Sequence, residues 1–395
     1  MFRGKKIRAS VLAAVFCFTV MFVVFTYGKV KAKEEFEEKL KIYLQAVDLI
    51  KNDYVEKNLN DTTMVYGSIR GLLESLDDPY TRFLEPKSFK EMRVRLSGSY
   101  SGIGIYIGLK DKEITVISPI EDSPAYLCGL KSGDKIATID GKSTKHMALD
   151  EAVSMIRGQA NTVVTLGILR GKDKDTKDYK ITRKKIVVKA VKSKMMDNNI
   201  GYLKLVTFEN QNANSEVKNA LKSLSDKGAN SLILDLRGNG GGLLSNAIDI
   251  SNMFIGKGVV VHTVDRDGRK ETIQVYNNAV WTKPIVVLVD GGSASASEIL
   301  AGAIQDNKAG TIVGTHTFGK ASVQNIRELS DGSAILLTIA KYQTPLGHDI
   351  AKKGIDPDIK VELPKKQNED EIVEYQEKDD VQLKKAEEII SNGKK

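Results

Sequence analysis

Hydrophobic and polar positions follow three different patterns along the chain. Between residues 34 and 96, apolar side chains recur at three- and four-residue steps, which predicts amphipathic helices. Between residues 97 and 182, short alternating stretches are separated by glycine-containing turns, which predicts a compact β-rich unit. Between residues 183 and 362, nearly continuous apolar runs alternate with helical patterns, which is typical of an α/β layer whose sheet is covered by helices.

The two ends of the chain have compositions of their own. Residues 1–33 contain seven basic and no acidic side chains, and they enclose an apolar run, residues 9–27, that is close to bilayer-spanning length. The run lacks a good small-residue cleavage site, so we expect an uncleaved signal anchor, with secretion after signal cleavage as the alternative. Basic residues on the short N-terminal side would keep that side cytoplasmic and the rest of the chain outside. Residues 363–395 form a charged tail that contains an amphipathic segment, residues 381–390.

Net charge and cysteine content exclude several functional classes. The formal charge is +8, but seven positive charges lie in the first 33 residues, so no broad basic field remains for nucleic acid. Cys17 lies in the apolar run and Cys128 in a soluble segment, so we expect no disulfide and a buried Cys128. The four histidines are scattered and no HExxH motif occurs, so no metal or other cofactor is expected.

The segment SLILDLRGNGGGLL has the pattern of a strand, a glycine run and the start of a helix. Glycines let backbone N–H groups approach an anion closely, and a helix N-terminus adds partial positive charge. No P-loop or convincing dinucleotide-binding motif is present, so a phosphate site is poorly supported. An oxyanion hole uses the same parts, and a tight turn without chemistry is the alternative.

The segment GGSASASEI follows the apolar run PIVVLVD and has the same strand-turn-helix pattern. Ser295 and Glu298 fit a capping box, which makes Ser295 the helix N-cap beside the helix-terminal N–H groups. Ser297 would lie inside the first helical turn, a poor position from which to attack a substrate. The residues alone leave Ser293 and Ser295 both open as nucleophiles.

A serine nucleophile needs a base that removes its proton. His316 is the nearest histidine in sequence, but no acid obviously orients it. Lys320 is the other candidate, because a lysine in a low-dielectric site loses its charge and can accept the serine proton. Gln324 could hold the amine through a neutral oxygen, whereas a carboxylate would raise the lysine pKa. An ordinary surface lysine is the alternative for Lys320.

These segments together resemble the carboxyl-terminal processing (tail-specific) serine peptidases. GGSASASEILAGAIQD followed by GTHTFGKASVQ is similar to the family's catalytic signature, and DLRGNGGGLL is similar to its glycine segment. GLLESLDDPYTRFL resembles the N-terminal helical region, SGIGI through DGKS the PDZ domain, and KGIDPDIKVEL the closing strand. The similarity runs in order through about residues 40–390.

The resemblance implies an α/β multidomain fold in which a PDZ domain is inserted before a peptidase core with a helix-covered sheet. The implied domains are a signal anchor (1–33), an N-terminal helical region (34–96), a β-rich PDZ domain (97–182), an α/β serine peptidase core (183–362) and a charged C-terminal tail with a helix (363–395).

The resemblance also implies roles for single residues. It selects Ser295 as the nucleophile, Lys320 as the base and Gln324 as a supporting amide. The implied oxyanion donors are backbone N–H groups of Ala296 and of Gly241 or Gly242. In the PDZ domain, N–H groups of the SGIGI loop would bind a terminal carboxylate while the substrate tail adds as a strand. The implied peptide-binding residues are Gly102, Ile103, Gly104, Ile105, Val153 and Ile156.

The sequence therefore predicts a membrane-anchored, extracytoplasmic serine endopeptidase. It would cleave near the C-terminus of proteins whose apolar tails its PDZ domain captures. No cofactor, metal or nucleic acid is implied, and helices at both ends could make a homodimer, as in some relatives. The alternative from another class is a non-catalytic PDZ adaptor that binds protein C-termini at the membrane.

Overall fold

The extent of the structure sets which sequence predictions can be compared with it. A computed structural model of the chain describes residues 36–110, 113–120, 122–171, 175–362 and 379–393. The predicted signal anchor, residues 1–33, lies outside the described part, as do residues 363–378 of the tail. Within the described ranges, no helix combines the length and apolarity needed to cross a bilayer. The chain divides into two compact units, residues 1–72 and 73–395.

Helices and strands alternate through most of the described chain. The helices are α1 (residues 36–53), α2 (Asp61–Glu74), α3 (Pro86–Leu96), α4 (Pro124–Leu127), α5 (Leu149–Ile156), α6 (Ala213–Asp226), α7 (Leu244–Ser251), α8 (Ala296–Asp306) and α9 (Val381–Asn392), with a 3₁₀ turn at Asp197–Asn199. The strands are β1 (Arg82–Leu84), β2 (Ser99–Gly102), β3 (Ile105–Lys110), β4 (Glu113–Pro119), β5 (Lys135–Ile139), β6 (Lys142–Ser143), β7 (Val163–Leu169), β8 (Lys177–Thr182), β9 (Lys184–Val187), β10 (Val191–Met196), β11 (Ile200–Leu205), β12 (Ser231–Asp235), β13 (Val259–Asp265), β14 (Lys270–Gln274), β15 (Ile285–Val289), β16 (Thr311–Gly314), β17 (Ser322–Glu328), β18 (Ala334–Gln343) and β19 (Ile359–Lys360).

A six-stranded sheet forms the centre of the C-terminal half. Its strand order is β10-β11-β12-β15-β16-β19, and all neighbours are parallel except β10, which pairs antiparallel with β11. Strands β12 and β15 are buried along their whole length, as expected for a sheet covered on both faces. Helices α6, α7 and α8 contribute to the hydrophobic core on one face, and α9 packs on the other.

A second, antiparallel sheet contains the strands β1, β13, β14, β17 and β18. Its order is β1-β18-β13-β14, with β17 paired to β18. Helix α3 packs on it through Phe89 and Met92, which join a small core with Leu84 and Ala334. The apolar runs of β13 and β18, which the sequence pattern assigned to the α/β layer, therefore form a sheet of their own.

The β-rich unit predicted between residues 97 and 182 folds around its own core. Strands β3, β4, β5, β7 and β8 form an antiparallel sheet in that order, and α5 packs against it through Ala152 and Ile156. Strand β3 lies at one edge of this sheet. Strand β2 precedes this sheet in sequence and strand β9 follows it. The two strands pair antiparallel and form a separate two-stranded ribbon.

Side-chain contacts join α1 to α2. In the N-terminal compact unit, the Tyr43 hydroxyl donates to Ser68 Oγ (2.9 Å), and Lys51 Nζ lies 2.9 Å from Asp61 Oδ1.

The expectation that Cys128 is buried is wrong, because its side chain is exposed. Cys128 is the C-cap of the single-turn helix α4, which buries Ala125 instead.

Candidate active site

Three neighbouring parallel strands bring the predicted chemical segments together. Strands β12, β15 and β16 lie side by side, so their carboxyl ends meet at one edge of the sheet. The glycine run follows β12, the serine segment follows β15, and the loop with Lys320 follows β16. Parallel topology thus assembles segments that are distant along the chain.

The three serines of GGSASASEI have different environments. Ser293 is fully buried, and its hydroxyl donates to the Leu236 carbonyl (2.9 Å). Ser297 is also fully buried, and its hydroxyl donates to the Asn239 carbonyl (2.8 Å). Both side chains fasten the serine segment to the glycine run. Ser295 is partly exposed and lines a cavity, so it is the serine of the three that a substrate can reach.

Ser295 has a strained backbone at the N-cap of α8. Its φ is 54° and its ψ is −113°, a conformation that costs a non-glycine residue on the order of 1–3 kcal/mol. The Ser295 N–H donates to Glu298 Oε2 (2.8 Å), as the predicted capping box requires. The Ser295 carbonyl accepts a hydrogen bond from the buried Tyr342 hydroxyl (3.0 Å). These contacts hold the strained turn in place.

Glu298 links the serine turn to the lysine loop. Its carboxylate is fully buried and accepts hydrogen bonds from the Thr317 hydroxyl (2.6 Å), the Gly319 N–H (2.7 Å) and the Lys320 N–H (2.9 Å), besides that of Ser295. A buried carboxylate needs this number of donors to offset its desolvation. The Ser-x-x-Glu spacing predicted the helix cap, but it did not predict that Glu298 also binds the loop that carries Lys320.

The amine of Lys320 lies in a partly buried site with a neutral hydrogen-bond acceptor. Lys320 Nζ donates to Gln324 Oε1 (3.3 Å) and lies 4.6 Å from the centroid of the Tyr80 ring. Gln324 Nε2 in turn donates to the Tyr80 carbonyl, which fixes the orientation of the amide. Tyr80 lies two residues before β1, and the sequence did not predict that this segment contributes to the site.

The pKa of Lys320 is lowered from its ordinary value. Burial is the main cause, because it disfavours the ammonium form, and the nearby positive charge of Arg82 acts in the same direction. The carboxylates of Asp78 and Glu209 oppose this shift. The amine is therefore easier to deprotonate than that of a solvated lysine.

The predicted oxyanion donors lie beside Ser295. Gly241 has a φ of +96°, and a Cβ added there would lie 2.8 Å from Ser295 Cβ. Its N–H donates to Asn239 Oδ1 (2.9 Å), and the residue is buried. Gly242 is exposed and lines the same cavity as Ser295. Ala296, the first residue of α8, also lines this cavity.

One cavity of about 380 Å³ contains the predicted catalytic residues. Apolar side chains from α3, α8 and the second sheet form much of its wall, including Met92, Leu96, Ile299, Ile326 and Leu336. The charged side chains that line it are Arg82, Arg95, Glu209 and Lys320. The wall beside Ser295 is therefore largely apolar, with charged side chains from several segments around it.

His316, the rival base, lies outside this cavity. Its ring Nδ1 lies 2.8 Å from Asp356 Oδ1, and both side chains are substantially exposed. The expectation that no acid orients His316 is therefore wrong, because Asp356 does so. The pair does not line the cavity of Ser295.

A second cavity of about 190 Å³ lies in the β-rich unit, between β3 and α5. All six predicted peptide-binding residues line it: Gly102, Ile103, Gly104, Ile105, Val153 and Ile156. Arg157 also lines it, and its guanidinium carbon lies 4.9 Å from the centroid of the Tyr100 ring. The structure thus brings together residues from the first strands of the unit and from α5.

The described ranges contain no cluster of three or more His, Cys, Asp or Glu side chains that could hold a metal ion.

Comparison with protein-family models identifies three matching regions. Residues 199–361 match peptidase family S41, residues 91–169 match the PDZ domain, and residues 25–88 match the N-terminal domain of the activating protease CtpB.

Two named relatives match most of the chain. The carboxyl-terminal-processing protease of Synechocystis sp. is 41% identical over 322 residues, which cover 80% of this chain and 75% of that protein. The carboxy-terminal processing protease CtpA of Bacillus subtilis is 43% identical over 321 residues, which cover 81% and 68%. A crystal structure of an S41 protease from Bacteroides fragilis superposes with a TM-score of 0.52 over 87% of this chain and 96% of that one. At 16% identity, that similarity concerns the fold alone.

Proposed function

The chain belongs to the carboxyl-terminal processing serine proteases, with a family S41 peptidase domain and a PDZ domain, and from this premise we propose that Ser295 is its nucleophile and Lys320 its general base. One observation carries the proposal. The partly buried amine of Lys320, held by the neutral Gln324 amide, lines the same cavity as the exposed serine of the three. A lysine with a lowered pKa can take a proton from a hydroxyl.

The proposed reaction has two stages. Uncharged Lys320 accepts the Ser295 proton while Ser295 Oγ attacks the substrate carbonyl carbon. The resulting ammonium of Lys320 donates that proton to the leaving amine, and the C–N bond breaks to leave an acyl-enzyme. Water, deprotonated by the same amine, then attacks the ester carbonyl and releases Ser295. The reaction is hydrolysis of a peptide bond and consumes no co-reactant other than water.

The oxyanion of each tetrahedral intermediate would accept hydrogen bonds from the N–H groups of Ala296 and Gly242. The Ala296 N–H belongs to the first turn of α8, whose N-terminus also favours negative charge. Gly242 is favoured over Gly241 because the Gly241 N–H already donates to Asn239. Gly241 instead provides the close approach of the glycine run to Ser295.

We further propose that the PDZ domain captures the apolar C-terminal tail of a protein substrate. The carbonyls of Ile103 and Gly104 accept hydrogen bonds from Ala125 and Ile120. Because a trans peptide group holds its C=O and N–H on opposite sides, the N–H groups of Gly104 and Ile105 point the other way, toward the cavity. Those donors suit a terminal carboxylate, and the edge strand β3 can accept the tail as a further strand.

The N-terminal segment is proposed to anchor the chain with its catalytic part outside the cytoplasm. The support is the apolar run of residues 9–27 and the basic residues before it. Fractionation of cells that express the chain with and without residues 1–33 tests the anchor, since protein found in the soluble fraction in both cases would contradict it.

A fluorophosphonate probe tests the catalytic assignment. It should label the full chain and fail to label Ser295→Ala, while Lys320→Ala should be labelled at least about 10³-fold more slowly. His316→Ala, the control for the rival base, should be labelled like the parent. Loss of labelling in His316→Ala with retention in Lys320→Ala would overturn the choice of base. A parent chain that is never labelled and never cleaves an apolar-tailed protein would favour the PDZ adaptor.

A further inference from the structure

A short segment before the PDZ domain forms part of the wall around Lys320. The Tyr80 ring faces the Lys320 amine, and the Tyr80 carbonyl holds the Gln324 amide. Two residues later, Arg82 begins β1, which pairs antiparallel with β18 and places Arg82 opposite Leu336. This segment lies outside the region that matches peptidase family S41.

Arg82 is a cation in the catalytic cavity without an acidic partner. It lines the cavity together with Ser295, Lys320 and Gln324. The other arginine of the cavity, Arg95, lies 3.7 Å from Glu209 Oε2. Among the described side chains, no carboxylate comes within ion-pair distance of Arg82. The Arg82 side chain is exposed at the mouth of this cavity, so its charge is in contact with water and also acts on the other charges of the site.

We propose that Arg82 is a positioning residue that acts through Lys320: its unneutralised charge at the catalytic cavity disfavours a second positive charge there and so favours the uncharged form of the Lys320 amine. The inference rests on the proposed role of Lys320 as the base. The exposed Arg82 and the partly buried Lys320 repel each other across the cavity, an interaction that solvent weakens but does not abolish. The lysine can relieve this repulsion by losing a proton, whereas an arginine cannot.

The other charged groups near Lys320 either oppose Arg82 or are directed elsewhere. The Asp78 carboxylate favours the ammonium form, but its oxygens accept from the Tyr80 N–H (3.1 Å) and the Thr81 hydroxyl (2.6 Å). Glu298 on α8 accepts from backbone N–H groups, including that of Lys320. Glu209, from the loop before α6, is the cavity carboxylate that opposes Arg82.

Tyr342 on β18 completes the set of titratable groups around the lysine. Its hydroxyl contacts the Lys320 carbonyl, and burial raises its pKa well above the ordinary value, so it stays neutral. Arg82 and Glu209 are therefore the two cavity charges whose removal should move the Lys320 equilibrium in opposite directions.

The test uses the full chain and measures the rate of fluorophosphonate labelling from about pH 6 to about pH 10, which brackets a lowered lysine pKa. Labelling requires the uncharged amine, so its rate rises with pH through the Lys320 pKa. Arg82→Gln removes the repelling charge and should move this rise to higher pH. Glu209→Gln removes the attracting charge and should move the rise to lower pH. Arg266→Gln, an exposed arginine outside the cavity, is the matched control and should leave it unmoved.

Each result supports or overturns the inference. Arg82→Lys, which retains a cation at this position, should keep most of the parental profile. A lower rate at every pH with an unmoved rise would assign Arg82 to structure, and a change confined to the probe's saturation constant would assign it to ligand binding. Either outcome overturns the proposal. If Lys320→Ala loses labelling while Arg82→Gln leaves the profile unmoved, only this inference fails. Unimpaired labelling of Lys320→Ala would remove the proposed base as well.

Discussion

Gly241 is packed against Ser295, the proposed nucleophile, more tightly than any side chain would allow. A Cβ at this position would lie 2.7 Å from the Ala294 carbonyl oxygen and 2.8 Å from Ser295 Cβ. The backbone φ of +96° is also one that L-residues rarely adopt. The glycine run can therefore approach Ser295 only because this position lacks a side chain.

This packing gives a prediction for Gly241→Ala. The added methyl group should displace the glycine run or the serine turn, and fluorophosphonate labelling of Ser295 should slow by about 10²- to 10³-fold, the cost of a disturbed oxyanion hole. The neighbouring Gly240→Ala is the matched control, because its added Cβ would meet no atom within 4 Å. Equal labelling of the two variants would contradict the prediction.

At the residue scale, the sequence indicated which residues were candidates for the site but not how they are arranged in space. Serine, lysine and glutamine stood out because each lies in a distinctive segment near a predicted strand end. The structure separates Ser293 from Ser295 because the Ser293 hydroxyl donates to the carbonyl of Leu236, the residue that follows β12. Arg82 could not be connected to the site at all, because strand pairing brings it there from a distant part of the chain.

At the scale of elements, the C-terminal helix is tied to the base of the glycine run. Arg237 lies two residues after the end of β12. Its Nη2 is 2.8 Å from Asp235 Oδ2 and 2.8 Å from Oδ2 of Asp380, the N-cap of α9. Asp235 is fully buried, and the Arg237 and Asp380 side chains are only 12% and 11% exposed. Burial disfavours the charge on Arg237, but the two carboxylates prevail and raise its pKa. The helix and the sheet thus share one buried ionic network.

Asp380→Ala should therefore destabilise the fold. The change removes a carboxylate from Arg237 and also the cap bond from the Leu383 N–H, so the free energy of unfolding should fall by about 2–4 kcal/mol. Urea denaturation monitored by circular dichroism measures the difference. Lys384→Ala, an exposed change one turn into α9, should alter stability by less than about 0.5 kcal/mol. A stability loss as large in Lys384→Ala would show that the ionic network is not the cause.

Element-level prediction succeeded where the signal was local. The assignment to the carboxyl-terminal processing serine peptidases and the α/β multidomain fold with a PDZ domain are confirmed by the family matches and relatives. The separate antiparallel sheet was not predicted, because periodicity identifies a strand but not its partner. The paired strands β1 and β18 are separated in sequence by the whole PDZ domain and most of the peptidase domain, so no local sequence pattern predicts their pairing.

At the scale of the whole molecule, the proposed division of labour separates tail capture from cleavage. Val153 lines the PDZ cavity, so Val153→Asp should place a charge where an apolar C-terminal side chain is expected. Binding of a fluorescent peptide with an apolar C-terminus should weaken by at least about tenfold, as measured by fluorescence polarisation. Val163→Asp, on an exposed position of β7, serves as the control in the same domain. Unchanged binding in Val153→Asp would argue against this cavity as the tail site.

The pairing of β1 with β18 also has a consequence for biogenesis. A ribosome makes Arg82 about 250 residues before the partner strand that holds it in place. A chain whose synthesis has not yet reached β18 therefore lacks part of the proposed catalytic cavity, whatever its early segments have folded into. Cleavage activity is therefore expected only after β18 (Ala334–Gln343) has been synthesised and has paired with β1.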